Sequence, residues 1–524
     1  MSNSPYSQFA IKRGAWRFLS GKALSAPLTF LILFLLVKIL PLIEYGAYVT
    51  LVAGIEIGYG LSDFGLYWLA ARYLPEYRMN ASGEQIKRLC IRFLSMAVFS
   101  LLAIALIFLI FLENYLKWVN LDTYLIAALI YLGVFVIDGL GRFVREPLMV
   151  PMMMIDESRK SMVMRQLSFV VLIVLLEFTG NAMLTNVALA EIVAAFLSLI
   201  ISLMLMRRRL THLQDQASQL DWSEPRMGTL WRIAIRMYAA NLLTLPYSSQ
   251  AFINLIQRVL GVEAAGLFGF LLNLQGQIAR YLPATLLFSI IRPKLVASYV
   301  GGGGMDELSR NANLAGKLSL FALMPLVVMA ALTGDTLVTL LSGGKFMGSG
   351  WLFLGFMLVL VPISQGQLIE SVAVASGHAG LCTWAAASGL VTLPLIWFLL
   401  DMGMGLWAAV IAIGVGRLLF NIVLVIGVSK LAGYRTSWIG FLKLAVSALA
   451  TYGATAWLPL DTVVPDNWRS VWIPDIWVSA WIPIMLRFIL TGFIYLSFTW
   501  LIKPFSSGER ARINGLTKHR LFVW

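Results

Sequence analysis

Charged residues are scarce in this sequence. They make up 13% of its 524 residues, whereas a soluble globular chain is about a quarter charged. Apolar residues reach 59%, and the surplus of apolar surface must face lipid. The strand-like alternation of a membrane β-barrel is also absent, so the spanning segments must be helices, which satisfy their own backbone hydrogen bonds in lipid. The composition therefore predicts an all-α polytopic membrane protein and excludes a soluble fold.

The sequence also has few residues suited to metal or nucleotide chemistry. Its two cysteines, Cys90 and Cys382, lie in different apolar segments without metal-ligand spacing, which excludes a disulfide framework. The glycine run 301–304 is not followed by the Lys-Ser/Thr pair of a phosphate-binding loop, so we do not expect ATP hydrolysis. The longest hydrophilic segments, about 207–233 and 460–480, are too short to fold as catalytic domains. We expect no cofactor.

Long apolar runs are what the sequence does contain. Because a membrane crossing needs roughly 20 apolar residues, the runs predict about fourteen spans. The predicted spans are 16–40, 45–72, 90–112, 121–146, 162–179, 184–206, 234–257, 263–292, 314–333, 350–375, 381–400, 405–429, 438–459 and 481–503.

The basic residues indicate how these spans are oriented. The net charge of +14 comes from Lys and Arg residues at the ends of apolar runs, which is typical of topology signals and not of a nucleic-acid surface. Most of them, including Arg207–Arg209 and the tail after Lys503, fall on one side. We therefore expect both termini in the cytoplasm and a location in the bacterial cytoplasmic (inner) membrane, with membrane lipids as partners and no nucleic acid.

A short internal repeat suggests a duplication. The spacing that separates Gly46 from Gly266 also separates Leu40 from Leu260, and each set lies where one predicted span ends and the next begins. Such a repeat predicts two parallel bundles that face one another across a substrate path. The predicted domains are an N-terminal six-helix bundle at 1–210, a cytoplasmic linker at 211–233, a C-terminal six-helix bundle at 234–430, and two additional helices with a basic tail at 431–524.

Local motifs of the two halves resemble those of a known transporter family. The motifs are Gly46-Ala-Tyr48, Asp63-Phe-Gly65-Leu66, Leu260-Gly261 and Gly266-Leu-Phe268. They resemble the polysaccharide transporter (Wzx-type) flippases of the multidrug/oligosaccharidyl-lipid/polysaccharide (MOP) exporter superfamily, although Pro41 stands where that family usually has Gly. The resemblance implies a MATE-like fold of two parallel six-helix bundles plus two C-terminal helices.

The same resemblance implies a function. Members of that family translocate polyprenyl-diphosphate-linked oligosaccharide across the cytoplasmic membrane for exopolysaccharide or O-antigen biosynthesis. The expected partners are therefore the lipid-linked oligosaccharide and a polysaccharide polymerase or export machinery.

Polar side chains follow one face of three spans in the predicted second bundle. They are Gln250, Asn254 and Gln257 in span seven, Asn273, Gln277 and Arg280 in span eight, and Arg417 and Asn421 in span twelve. Because polar groups in lipid are expensive, these faces indicate a hydrated substrate cavity, and interhelical hydrogen bonds are the alternative. Arg280 and Arg417 are candidate diphosphate ligands, since a guanidinium binds phosphate oxygens as a fork. Lys22 either adds a point charge or extends to the membrane interface.

Charged residues elsewhere are candidates for coupling or gating. Asp138 and Arg142, one turn apart, are expected to pair. Glu56 and Asp63 lie two turns apart on one face of predicted span two, and Glu370 lies in span ten. A carboxylate within the membrane can carry a proton or a sodium ion, so one of these groups could couple transport to an ion gradient. Ion pairs that only compensate burial are the other interpretation.

Two other functions stay open at this point. A membrane polysaccharide polymerase or ligase also has many spans, but it typically carries a large outer loop with basic catalytic residues, and the predicted loop has only Arg469. A small-molecule exporter of the same superfamily should have a cavity dominated by carboxylates, whereas the most central charges here are Arg280 and Arg417. Unpolymerised repeat units outside the membrane of a deletion strain would favour the polymerase, and drug sensitivity with normal surface polysaccharide would favour the exporter.

Overall fold

The architecture is helical throughout. The computed structural model describes residues 27–211, 227–283, 304–378, 380–458 and 481–516. In these ranges the chain forms helices joined by turns, with no strand. The all-α fold that the composition predicts is confirmed.

The chain divides into two compact units, Met1–Phe270 and Leu271–Trp524. The helices that begin in the first unit are α1 (Pro27–Ile39), α2 (Leu42–Ser62), α3 (Leu66–Asn80), α4 (Gly83–Trp118), α5 (Leu125–Phe143), α6 (Ile155–Phe178), α7 (Leu184–Thr211), α8 (Met227–Thr244), α9 (Ser249–Leu260) and α10 (Val262–Tyr281). Those of the second unit are α11 (Gly304–Leu341), α12 (Gly350–Ala375), α13 (Gly380–Ser388), α14 (Thr392–Asp401), α15 (Trp407–Ala432), α16 (Trp438–Ala456), α17 (Ile482–Ile502) and α18 (Ser507–Leu516). The division into six, six and two spans stays a prediction.

Many of these helices can cross a membrane. Within the described ranges, ten spans are long and apolar enough, and the bent pair of α2 and α3 raises the number to eleven. The protein is therefore a polytopic membrane protein, as predicted. The number fourteen stays a prediction, because parts of predicted spans 16–40 and 263–292 lie outside the described residues.

The second predicted span is broken. A single helix was expected over 45–72, but α2 ends at Ser62 and the axis of α3 departs from it by 57°. Gly65 adopts a left-handed backbone with φ +78°, which glycine reaches without a Cβ clash. The carboxylate of Asp63 accepts a hydrogen bond from the amide of Tyr67 at 3.1 Å, which stabilises the restart of the helix. Asp63 keeps helical backbone angles at the end of α2, and its assignment together with Glu56 to coupling or gating stays a prediction.

The repeated glycines meet in the first unit. A Cβ added to Gly266 would lie 3.2 Å from the Cα of Gly46, and a Cβ on Gly46 would overlap the carbonyl of Val262. One turn after Gly266, a Cβ on Gly269 would overlap the side chain of Val49. Helices approach this closely only where small residues line the crossing. The glycine of the internal repeat, Gly46 and Gly266, therefore allows the close contact between α2 and α10.

An ion pair attaches α18 to the other helices of the second unit. The ammonium of Lys317, in α11, lies 2.9 Å from a carboxylate oxygen of Glu509 in α18. The lysine side chain is 4% exposed, and Gly440 of α16 lets it pass, because a Cβ there would overlap the lysine Cε. Ile513 of α18 packs in the same cluster as Leu314 of α11. The short helix is thus held by charge and by apolar contact.

We expect Glu509→Gln to lower the melting temperature of the purified protein, because it leaves the buried Lys317 ammonium without its carboxylate. Removing one partner of a buried pair typically costs about 3–5 kcal/mol. Glu84→Gln is the control, since Glu84 pairs with Arg88 on an exposed surface. Adding Lys317→Met to Glu509→Gln should recover most of the lost stability. A double variant as unstable as Glu509→Gln would contradict this role for the pair.

Candidate functional site

The first unit contains a buried carboxylate surrounded by guanidinium groups. Asp138 in α5 is 1% exposed. One of its oxygens accepts a hydrogen bond from Nε of Arg142 at 2.8 Å, so the pair expected from the one-turn spacing is present. The other oxygen lies 2.7 Å from Nε of Arg165 in α6 and 3.5 Å from Nη2 of Arg145. A single carboxylate thus ties α5 to α6.

Two further carboxylates extend this arrangement into neighbouring helices. Nη1 of Arg142 donates to Glu56 of α2 at 2.8 Å. Nη2 of Arg165 donates to Glu191 of α7 at 3.1 Å. We call the resulting set the charge network, and its members are Glu56, Asp138, Arg142, Arg145, Arg165 and Glu191. It joins four membrane helices and matches each guanidinium with a carboxylate, which is the condition for holding charges in a medium of low dielectric constant.

A serine hydroxyl group also accepts a hydrogen bond from the guanidinium of Arg145. Nη1 of Arg145 donates to the hydroxyl of Ser198 at 2.7 Å. That hydroxyl lies 3.0 Å from the hydroxyl of Ser161, which also contacts Ser202. The segment Val144–Met149 continues α5 as a wider helical turn that contains Pro147. This wider turn contains Arg145 and places it near the contact between α6 and α7.

Sequence reasoning found only part of the charge network. It identified Glu56, Asp138 and Arg142 as candidates and missed Arg165 and Glu191. The sequence does contain a signal for both missed residues. Each is a charged residue within an apolar run predicted to span the membrane, and such a residue marks a functional position by default. Their partners could not be predicted, since Asp138 lies far from Arg165 along the chain and Arg165 lies far from Glu191.

A pocket of about 210 Å³ adjoins the charge network at Arg142 and carries several polar side chains in a largely apolar wall. Its lining includes Tyr59, Asp63, Glu146 and the guanidinium-bearing side chain of Arg142. The guanidinium lies over the ring of Tyr59, 4.5 Å from the ring centroid, and the side chain is 39% exposed. A partly exposed, stacked guanidinium can bind an oxyanion, and the two carboxylates of the pocket can bind a cation. The pocket is the accessible end of the network.

The polar face of predicted span seven makes contacts between helices. Asn254 of α9 accepts a hydrogen bond from the hydroxyl of Tyr115 at 2.7 Å and donates to the carbonyl of Gln250 at 3.1 Å. Gln257 donates to the carbonyl of Val119 at 3.0 Å. Both Asn254 and Gln257 are buried. The interhelical hydrogen bonds given above as the alternative are therefore present on this face.

The other predicted cavity residues are spread over the second unit. Asn273 and Arg280 are exposed on α10, and Arg417 is exposed on α15. Gln277 is buried and accepts from Nη1 of Arg280 at 3.4 Å. Their assignment to a substrate cavity stays a prediction.

Two more candidates complete the list. Asn421 of α15 donates to the carbonyl of Pro362 in α12 at 2.7 Å, so its amide joins two helices. Lys22 lies outside the described residues.

The model of the family described as polysaccharide biosynthesis protein matches residues 11–287, a stretch that includes the whole charge network. The chain belongs to this family. None of the curated proteins matches this member by sequence.

Two solved structures similar to this chain are a lipid II flippase and a multidrug-resistance transporter. The lipid II flippase MurJ, in an inward closed conformation, matches with a TM-score of 0.64 at 11% identity, over 92% of this chain and 98% of the MurJ chain. An inward-facing multidrug-resistance MATE transporter of the MOP superfamily matches with a TM-score of 0.54 at 13% identity, over 84% of this chain and 99% of its own. The fold is therefore MATE- and MurJ-like, as predicted.

Proposed function

We propose that this protein is a flippase that moves a polyprenyl-diphosphate-linked oligosaccharide from the inner to the outer leaflet of the bacterial cytoplasmic membrane, for exopolysaccharide or O-antigen assembly. Its family is a polysaccharide biosynthesis family, and its fold is that of a lipid II flippase over nearly the whole chain. A lipid-linked glycan is the kind of substrate that joins these two observations. Both termini face the cytoplasm, in accord with the basic residues at the span ends.

The observation that carries this proposal beyond the fold is the accessibility of one guanidinium in the charge network. Asp138 is almost completely buried, but the side chains of Arg142 and Glu56 are 39% and 33% exposed. Such a network contributes little to stability compared with apolar packing, so its presence within the membrane supports a functional role. A diphosphate can replace Glu56 at Arg142 without exposing the buried remainder of the network.

Ion coupling is assigned to the accessible carboxylates. Asp138 contacts three guanidinium groups, so protonating it would leave them uncompensated. Glu56, Asp63 and Glu370 are more accessible, and one of them carries the proton or sodium ion in our proposal. Polysaccharide polymerase or export proteins act on the translocated product and are the proposed partners.

Reconstituted vesicles provide the direct test. Purified protein in vesicles that contain a fluorescent polyprenyl-diphosphate-linked oligosaccharide should expose the inner-leaflet label to a membrane-impermeant quencher faster than protein-free vesicles do. In cells, deletion of the gene should retain lipid-linked glycan in the inner leaflet. Unpolymerised glycan outside the membrane of the deletion strain, together with no flipping in vesicles, would instead indicate a polymerase or ligase.

A further inference from the structure

A second cavity lies away from the charge network, between α2, α4 and α5 of the first unit. Its volume is about 360 Å³. Aliphatic side chains and five aromatic rings line it, and the rings come from Phe108, Phe111, Tyr115, Tyr131 and Phe135. Gly54 of α2 forms part of the floor, where an added Cβ would lie 3.0 Å from the hydroxyl of Tyr115. The missing side chain at Gly54 keeps this space open.

The chemistry of the lining selects an apolar occupant. Asn254 and Tyr115 are among the few polar side chains at the cavity, and the hydroxyl of Tyr115 is already bonded to Asn254 at 2.7 Å. A water molecule needs two to four polar partners, so the site suits hydrocarbon better than water. A volume near the lower end of ordinary ligand pockets fits a segment of one chain and not a whole lipid.

The surroundings of the cavity show that its occupant comes from the membrane. In α4, only 22% of the most apolar 18-residue stretch is buried inside the protein, so the rest of that stretch faces lipid. Ile107 and Phe111 belong to that face, with 48% and 57% of their surface exposed, and both also line the cavity. The cavity therefore opens sideways into the hydrocarbon core.

The depth of the cavity indicates which leaflet it serves. Its α4 residues run from Ile107 to Tyr115, near the end of the helix at Trp118, and its α5 residues begin at Ala128, near the start of that helix. At about 1.5 Å per residue, they lie within roughly 17 Å of one membrane surface. With the cytoplasmic N-terminus proposed above, that surface is the outer one.

We propose that this cavity binds a segment of the polyprenyl chain of the carried lipid in the outer leaflet. The proposal rests on the flippase function proposed above. The head group crosses the protein while the chain stays in hydrocarbon, so a lateral site beside the first unit retains the lipid until the head group is released. The C–H groups of a branched chain can pack against the electron-rich faces of the aromatic rings.

Site-specific photo-crosslinking tests this assignment. The photoreactive residue p-benzoylphenylalanine replaces Phe111 at the cavity or, as a control, Leu106, which faces lipid without lining the cavity. The proteins are reconstituted in phospholipid vesicles with a small fraction of polyprenyl-diphosphate-linked oligosaccharide. The Phe111 position should enrich crosslinks to the polyprenyl lipid several-fold over the Leu106 position. Phospholipid crosslinks alone, in equal proportion at both positions, would overturn the proposal.

A pair of tryptophan variants separates this site from the function itself. Ile107→Trp places an indole ring at the cavity, while Leu106→Trp places the same ring at the neighbouring lipid-facing position. Flipping should slow several-fold in Ile107→Trp and stay at the wild-type rate in Leu106→Trp. If both variants flip at the wild-type rate, the cavity assignment fails and the flippase stands. If the wild-type protein does not flip the lipid at all, the proposed function fails.

Discussion

Asp138→Asn is expected to remove most of the folded protein from the membrane. The substitution keeps the shape of the side chain but deletes the charge that compensates Arg142, Arg145 and Arg165. Removing one partner of a buried ion pair costs about 3–5 kcal/mol. Because the whole stability of a typical protein is about 5–15 kcal/mol, this loss is large.

The measurement is the amount and melting temperature of a fluorescent-protein fusion after extraction in detergent. Asp156→Asn is the matched control, since Asp156 lies at the start of α6 and its ion pair with Arg159 is partly exposed. Arg165→Gln added to Asp138→Asn should recover part of the loss, because it removes one of the uncompensated charges. An Asp138→Asn protein as abundant and as stable as Asp156→Asn would show that the charge network does not support the fold.

Arg280→Ala and Arg417→Ala are expected to abolish polymer output while the folded protein stays in the membrane. Both side chains are exposed, on α10 and α15, so truncating them removes no buried side chain. A hydrogen bond to a charged group contributes about 1.5–3 kcal/mol. Loss of one such contact to the diphosphate should therefore slow flipping by at least about tenfold.

Surface polysaccharide and protein abundance, measured in the same complemented deletion strain, check this result. Lys430→Ala serves as the control for Arg417→Ala, because Lys430 is an exposed cation in the last turn of the same helix. Arg280→Lys should restore only part of the activity, since lysine keeps the charge but not the planar fork. Normal polymer output from both alanine variants would sink the assignment of these residues to the diphosphate.

The local features of the charge network could be predicted from the sequence. Asp138 and Arg142 pair because residues four apart lie on one helical face, and this rule needs no tertiary information. The contact between the repeated glycines could be predicted only in part. The internal repeat indicated a shared role for Gly46 and Gly266 but not that they touch. The bend after Ser62 was missed, since Gly65 within an apolar run predicts neither a left-handed backbone nor a new helix axis.

The sequence by itself determined that this protein is a bundle of membrane helices and which superfamily it resembles. Both follow from local properties, because lipid requires each spanning segment to satisfy its own backbone, and the family motifs are short. Only the tertiary structure decided which charges meet. Arg165 meets both Asp138 and Glu191 through the packing of α5, α6 and α7, and no spacing along the chain encodes these contacts. The apolar cavity beside Gly54 has the same origin, since it is formed by side chains from separate helices.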